Sequence, residues 1–264
     1  MPTGPGERPP VALHHLSRAT HSASGYRSRD TLWVLPGCSS LTTHAAPVLQ
    51  GSSCRMGEDG GMRYPTAVRR LRTIAEACDR PNRIWDEPVL VGAYAFGDVL
   101  DGAEDIPRVQ VAFVLDRPAE EVTWWAEPPH GPGIAALLDI EKAPVEWFWR
   151  PAVWPVWNHV IRGPVRFWST AGPDEGVLGA LEQRRIAELR RLVPSTEEEL
   201  AQLETELDAC LTHLREVDDR YFDREWRADH KGLGFHPENH LWRAVHGYLD
   251  LRAAVAERRS RLRD

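Results

Sequence analysis

The apolar positions that follow Met62 repeat with the period of an α-helix. They recur at i, i+3, i+4 and i+7 between Tyr64 and Asp79, which predicts an amphipathic helix over that range. The apolar stripe consists of Ala67, Val68, Leu71, Ile74, Ala75 and Cys78. One face of this helix should therefore pack on the rest of the fold.

The pattern after this helix changes to short apolar runs bounded by Gly, Pro or Asp, which are typical of buried strands. In the third run Val145, Trp147 and Trp149 alternate with their neighbours, so we expect them to share one face of a strand. A short helix is predicted over Pro132–Glu141, and Trp154–Ile161 indicates a proline-interrupted helical turn. The predicted strands are Val89–Phe96, Val109–Leu115, Pro144–Arg150 and Pro164–Trp168.

Helical periodicity returns at Val177 and continues almost to the end of the chain. The first predicted helix covers Val177–Leu192 and ends before Pro194. Ser195 and Glu198 have the spacing of a capping box for a second helix, whose leucines form one stripe. A third helix over Glu238–Arg259 should turn Leu241, Val245, Leu249 and Ala253 inward. Strands followed by long helices predict an α+β fold: a mixed sheet flanked by helices, then a C-terminal helical bundle.

Residues 1–61 differ from the rest of the chain, because Gly, Pro, Ser, Thr and His dominate and no period is sustained. Such a segment buries too little apolar surface to offset the entropy of ordering, so we expect disorder. A second interpretation is a mis-annotated extension, with the natural start at Met62. The organisation we expect is therefore an extension over 1–61, a core over 62–172 and a helical domain over 173–264.

Composition narrows the class of protein. The 264 residues carry a net charge of -7, so no general surface for nucleic acid is indicated. No run of 18 apolar residues exists, and we expect a cytoplasmic protein without a membrane span. The cysteines lack C-x-x-C spacing; Cys78 and Cys210 lie on apolar helical faces, where reduced core thiols are expected.

The stretch from Val89 to Asp116 carries a family resemblance. A strand ends at Phe96, Gly97 opens a turn, and Gly102 follows five residues later before the next strand begins. This layout resembles the minimal nucleotidyltransferase superfamily, in which the glycine turn opens onto nucleotide phosphates. The resemblance implies a ligand-binding role for Gly97 and Gly102 and makes Glu146 the third catalytic carboxylate. The order of elements also fits an uncharacterised bacterial family of domains of unknown function.

The resemblance fails at the positions that bind metal in that superfamily. Asp98 stands where a serine is expected, and the two metal-binding positions fall on Val109 and Val111. Mg²⁺ needs hard oxygen ligands, which valine does not supply. The remaining catalytic candidates are Asp98, Glu104, Asp105 and Glu146, of which Glu104 and Asp105 would have to act as displaced carboxylates.

Two other residue groups could form sites. Seven of the 11 tryptophans lie between Trp124 and Trp168; we interpret most as core and keep Arg150, Trp157 and Arg166 as pocket candidates beside Asp98 and Glu146. His213, His230, His236 and His240 could build a metal site in a helical bundle. We instead expect capping and surface histidines there, and no bound metal.

These observations favour a non-catalytic, nucleotidyltransferase-like protein that binds a small ligand, with a nucleotide as one candidate, or a protein partner. No cofactor is expected. An active enzyme with relocated carboxylates, which would require Mg²⁺, is one alternative. A protein that acts only through a partner, as in a toxin–antitoxin pair, is the other.

Overall fold

A computed structural model describes residues 61–84, 89–231 and 236–263 of the chain. All of the predicted N-terminal extension except Gly61 lies outside these residues. Short 3₁₀ turns occur at Gly97–Val99, Ala119–Glu121 and Ile186–Glu188. The strands and helices are β1 (Met62–Arg63), α1 (Tyr64–Ala77), α2 (Asp79–Asn82), β2 (Leu90–Phe96), β3 (Asp105–Ile106), β4 (Val109–Leu115), α3 (Gly131–Leu137), β5 (Val145–Pro151), β6 (Val165–Ser169), β7 (Gly172–Pro173), α4 (Glu175–Glu182), α5 (Thr196–Arg220), α6 (Arg224–Asp229) and α7 (Pro237–Arg261).

The main sheet is mixed and has the strand order β5-β4-β2-β6-β7. Strand β2 pairs antiparallel with β4 and β6, whereas β4 and β5 are parallel. The parallel pair requires a crossover connection, which the chain provides through residues 116–144 and helix α3. Strands β1 and β3 form a separate two-stranded antiparallel ribbon.

One face of the sheet packs on α1, α3 and α4. Helix α1 begins with Pro65 near its N-terminus, where the missing amide hydrogen costs nothing, and its apolar stripe is buried as the sequence predicts. The Tyr64 hydroxyl donates to the carbonyl of Leu181, and Arg72 pairs with both Glu175 and Glu182 at 2.8 Å. These contacts fasten α4 to α1.

The opposite face of the sheet packs on α5 and α7. Its core combines Phe96, Ala112 and Phe148 from the strands with Leu203 and Leu251 from the helices. The two helices run antiparallel, because Glu199 near the start of α5 pairs with Arg258 near the end of α7. Strands with both faces covered explain why the sequence shows apolar runs rather than strict alternation.

Helix α7 lies very close to the backbone of the β4–β5 crossover at a glycine. A Cβ atom at Gly247 would lie 2.2 Å from the carbonyl oxygen of Trp124. Any larger residue would push α7 away from the loop that carries Trp124 and Trp125. The glycine therefore sets the distance between α7 and the crossover.

Several predictions from the pattern are confirmed. The mixed sheet with flanking helices and a helical C-terminal region is present, and Val145, Trp147 and Trp149 contact the same core. Ser195 and Glu198 form the predicted capping box of α5. Cys78 and Cys210 are buried and unpaired. No described helix is long and apolar enough to cross a membrane.

Three local predictions are wrong. The helix expected over Val177–Leu192 ends at Glu182 and packs on α1 rather than in a C-terminal bundle. Trp154–Ile161 forms turns without a helix. Helix α7 buries Ala244, Gly247 and Leu251, so Val245 and Leu249 face outward with 38% and 52% exposure.

Candidate functional site

The glycine turn at the end of β2 meets β4 and β5 at one edge of the sheet. Gln110 is the strand partner of both Phe96 and Glu146, so the three residues lie side by side. The Gln110 amide donates to the Glu146 carboxylate at 2.8 Å. This set of Gly97, Gln110 and Glu146 is called the sheet edge below.

Gln110 occupies the space directly beside the glycine turn. Gly97 has a φ of 68°, and a Cβ atom built there would lie 1.7 Å from Oε1 of Gln110. The turn therefore depends on glycine both for its left-handed backbone and for room. The approach to the glycine, which the resemblance reserves for a phosphate, is taken by a side chain of the protein itself.

The two strand positions that correspond to the metal-binding pair, Val109 and Val111, lie on the face of β4 away from Glu146. Val109 and Val111 are fully buried in the core beneath α1, whereas Gln110 between them faces Glu146. A shift of one residue along a strand moves a side chain to the opposite face of the sheet. The alternation of β4 was the signal that could have identified Gln110.

The displaced carboxylates lie on the surface and pair with arginines. Glu104 makes a bidentate contact with Arg184, and Asp105 on β3 lies 3.6 Å from Arg63. Asp98 is half-buried on the 3₁₀ turn, and the nearby Gly102 has a φ of 71°. Among the described residues, no group of three His, Cys, Asp or Glu side chains is arranged to hold a metal ion.

Arg150, a predicted pocket residue, lies in the interior and is paired with a carboxylate. Its guanidinium is 1% exposed and makes two contacts with Glu206 of α5 and two with the carbonyl of Pro155. Trp157 and Arg166 do not take part in these contacts of Arg150. Trp157 is half-buried, and Arg166 is exposed on β6 opposite Tyr94.

A cavity of about 530 Å³ lies on the other side of the molecule, between the crossover and helices α5, α6 and α7. We call it the helix cavity. Its floor is formed by buried or half-buried residues: Glu127, Pro128, Pro132, His213, Val217, Trp226, His230 and His240. Its rim is formed by exposed residues: Glu120, Glu121, Pro129, Glu216, Arg220, Asp229 and Lys231.

The floor histidines are held by aromatic contacts. His230 stacks on Trp226 with ring centroids 4.2 Å apart, and the His240 ring meets His230 edge-on at 4.8 Å. The Nδ1 atom of His230 lies 2.8 Å from the Trp226 carbonyl oxygen, which can only accept. Nδ1 therefore carries the hydrogen, and in the neutral ring Nε2 is the lone-pair nitrogen.

Burial keeps two floor histidines neutral. Burial lowers the pKa of His240 to about 4, with further lowering by His230, Arg243 and His213. Burial also lowers the pKa of His213. Burial raises the pKa of Glu127, while the Arg243 guanidinium at 2.6 Å opposes that rise. His213 and His240 are therefore uncharged near neutral pH.

The expectation of capping and surface histidines fits only part of this region. His236 is the N-cap residue of α7, and its backbone amide donates to Asn239. His213, His230 and His240 instead share the helix cavity. Their convergence depends on how α5, α6 and α7 pack, which spacing along the chain does not reveal.

A smaller cavity of about 160 Å³ lies beside the hydrogen bond between His159 and Asp250. Asp250 also accepts a hydrogen bond from Trp124 at 2.6 Å and from Trp125 at 3.4 Å. Burial acts to raise the pKa of Asp250, but the His159 and Trp124 hydrogen bonds lower it overall. All three contacts use the Oδ2 atom of Asp250, and those with Trp124 and Trp125 join α7 to the crossover.

Comparison with known proteins identifies one family. A family model described as "Domain of unknown function (DUF7711)" matches residues 62–257 of the 264. No curated protein matches the chain, and no solved structure matches it.

Proposed function

The chain belongs to the DUF7711 family, and we propose that it is a small-molecule-binding protein on a nucleotidyltransferase-like sheet that does not transfer nucleotides. The resemblance is supported by the order β5-β4-β2, by the parallel pairing of β4 with β5, and by the turn at Gly97. The ligand occupies the helix cavity rather than the sheet edge.

The sheet edge lacks the charge that phosphoryl transfer needs. Two-metal transfer requires several carboxylates, because these hold the Mg²⁺ ions that neutralise the charge building up on the phosphates. Gln110 contributes a neutral amide instead of a carboxylate. That amide fills the space beside the glycine turn and donates a hydrogen bond to Glu146. Glu104 and Asp105 are directed to surface arginines. These contacts favour binding without catalysis.

The helix cavity carries the proposal. Its volume of about 530 Å³ falls within the roughly 300–1,000 Å³ that small-ligand sites occupy. Its floor combines an aromatic ring, prolines and neutral imidazoles, and perturbed pKa values in a cleft are common at functional sites. A floor of this kind offers both apolar contact and directional hydrogen bonds.

A thermal-shift screen of the full chain tests the proposal. The panel contains nucleotides with and without Mg²⁺, amines, amino acids and carboxylates. A ligand that binds only the folded state at a hundredfold excess over Kd stabilises by about 2.7 kcal/mol, which shifts Tm by several degrees. We expect at least one compound to raise Tm, and Glu216→Gln or His230→Gln to reduce that shift.

Two control variants separate the sites. Asp208→Asn removes the same charge from an exposed position of α5 outside the cavity, and it should leave the shift unchanged. Glu146→Gln tests the sheet edge. A shift by a nucleotide that requires Mg²⁺ and disappears in Glu146→Gln would overturn the proposal in favour of the active enzyme.

A further inference from the structure

The rim of the helix cavity carries more carboxylates than basic side chains. Glu120, Glu121, Glu216 and Asp229 make no ion pair within the described part of the chain, and they outnumber Arg220 and Lys231. Charges lining a cleft focus the electrostatic potential at its mouth. The entrance therefore favours positively charged molecules over anions.

The floor of the cavity offers hydrogen-bond acceptors. Because His230 donates through Nδ1 to the Trp226 carbonyl, its Nε2 atom has a lone pair in the neutral ring. His213 and His240 remain uncharged near neutral pH, so they do not repel a cation. A ligand that fits this floor brings N–H donors of its own.

The apolar part of the lining limits the size and shape of the ligand. Trp226 and Val217 are buried in the wall, and Pro128 and Pro132 lie across from them on the crossover. These surfaces suit a short alkyl or flat portion rather than a highly polar chain. The three floor histidines are not arranged as metal ligands, because among the described residues no group of three His, Cys, Asp or Glu side chains could hold a metal ion.

We infer that the ligand of the helix cavity is a small organic cation that carries a guanidinium or ammonium group on a short apolar chain. This inference rests on the proposed function, because it specifies the ligand of the same cavity. The charged group meets the carboxylate rim and the Nε2 acceptor of His230, and the apolar chain lies against Trp226 and the prolines.

Isosteric probes test the charge directly. Butylguanidinium and butylurea have the same shape, but only the former is charged; butylammonium and pentanoate complete the set. Calorimetric titration of the full chain is expected to give butylguanidinium a Kd at least tenfold lower than that of butylurea, with no binding of pentanoate. Equal affinity for guanidinium and urea, tighter binding of pentanoate, or no binding of either cation would overturn the inference.

Variants show whether the cation occupies this cavity. Glu216→Gln removes an exposed rim charge with little risk to folding, and it should weaken butylguanidinium binding roughly twofold to fivefold. Asp208→Asn should not change the affinity. Higher salt should weaken binding further, because exposed charges are screened. Cation binding that is insensitive to Glu216→Gln and to salt would contradict the inference.

The outcomes also separate the inference from the proposed function. If pentanoate or a nucleotide binds and His230→Gln weakens that binding, the cavity is a ligand site and only the charge assignment is wrong. If a ligand binds and responds to Glu146→Gln instead, both the cavity and the cation are wrong.

Discussion

Arg150 on β5 and Glu206 on α5 form a bidentate ion pair in the interior of the protein, with contacts of 2.7 and 2.5 Å and both side chains withdrawn from solvent. Pro155 and Gln202 supply the remaining hydrogen bonds. The pair joins the outer strand of the sheet to the helix that covers it. Each side chain thus has a hydrogen-bond partner besides the other, as a buried charge pair requires.

Removing one partner of this pair should destabilise the protein strongly. Glu206→Gln leaves the Arg150 charge buried without a counter-charge, so we expect a loss of about 3–5 kcal/mol in the free energy of unfolding. Chemical denaturation measures it. Glu204→Gln, which breaks an exposed pair with Arg259, should cost less than about 1 kcal/mol. Similar losses for both variants would contradict the interpretation.

The glycine turn provides a second test. Gly97→Ala places a Cβ atom against Gln110 and forces alanine into the left-handed conformation of Gly97. We therefore expect the free energy of unfolding to fall by about 1–3 kcal/mol. Gly179→Ala on α4 is the matched control, because nothing lies within 4 Å and helical glycine is unfavourable; it should stabilise by about 0.5–1 kcal/mol. Adding Gln110→Ala to Gly97→Ala should recover the part of the loss that comes from the collision.

The histidines of the helix cavity predict a dependence of stability on pH. The pKa of His240 is about 4 in the folded protein against an ordinary 6.5, so the unfolded chain binds a proton first as pH falls. Stability is complete above about pH 6.5 and decreases toward pH 4. Allowing for solvent screening, His240 contributes roughly 1–2 kcal/mol to that decrease.

Comparison with a variant isolates this contribution from that of the carboxylates. His240→Gln should flatten the stability profile between pH 6.5 and 4, as measured by denaturation at several pH values. His213, whose pKa burial also lowers, contributes to the loss of stability in the same direction. His230 and Arg243 act on the His240 ring and lower its pKa further. A profile parallel to that of the unsubstituted protein would show that His240 is not kept neutral by folding.

A substitution at Asp250 should have a local effect on Trp124 and Trp125, which donate hydrogen bonds to it. Asp250→Asn replaces a charged acceptor of three hydrogen bonds by a neutral one, so we expect a loss of about 1–3 kcal/mol and a change in tryptophan fluorescence. Asp208→Asn, on an exposed surface of α5, should alter neither. An unchanged emission spectrum in Asp250→Asn would argue against the Trp124 contact.

The strands and α1 could be predicted from the sequence because their burial follows a local period. The stripe of α1 and the alternation of β5 depend only on neighbours along the chain. Helix α7 shows the limit of this reasoning. Its leucines and valines suggest one buried face, but the close approach of Gly247 to Trp124 rotates the helix and exposes Val245 and Leu249. A glycine at a helix–loop contact leaves no signal in hydrophobic periodicity.

The two sites differ in how much the sequence reveals. Gly97 and Glu146 could be assigned to one edge because strand order follows from the resemblance, whereas the contact of Gln110 with Glu146 depends on the register of β4 with β5. The helix cavity could not be predicted, since its walls come from distant parts of the chain. The ion pair of Arg150 could not be predicted for the same reason, because its partner Glu206 lies 56 residues away.

The crossover from β4 to β5 carries one further consequence. The segment that makes the parallel pair possible also supplies Glu120, Glu127 and Pro128 to the helix cavity. A single proteolytic cut between residues 118 and 131 would therefore break the covalent link between β4 and β5 and interrupt the lining of the cavity in one event. Resistance of this short segment to protease thus reports on the sheet and the cavity together, and a bound ligand would protect both.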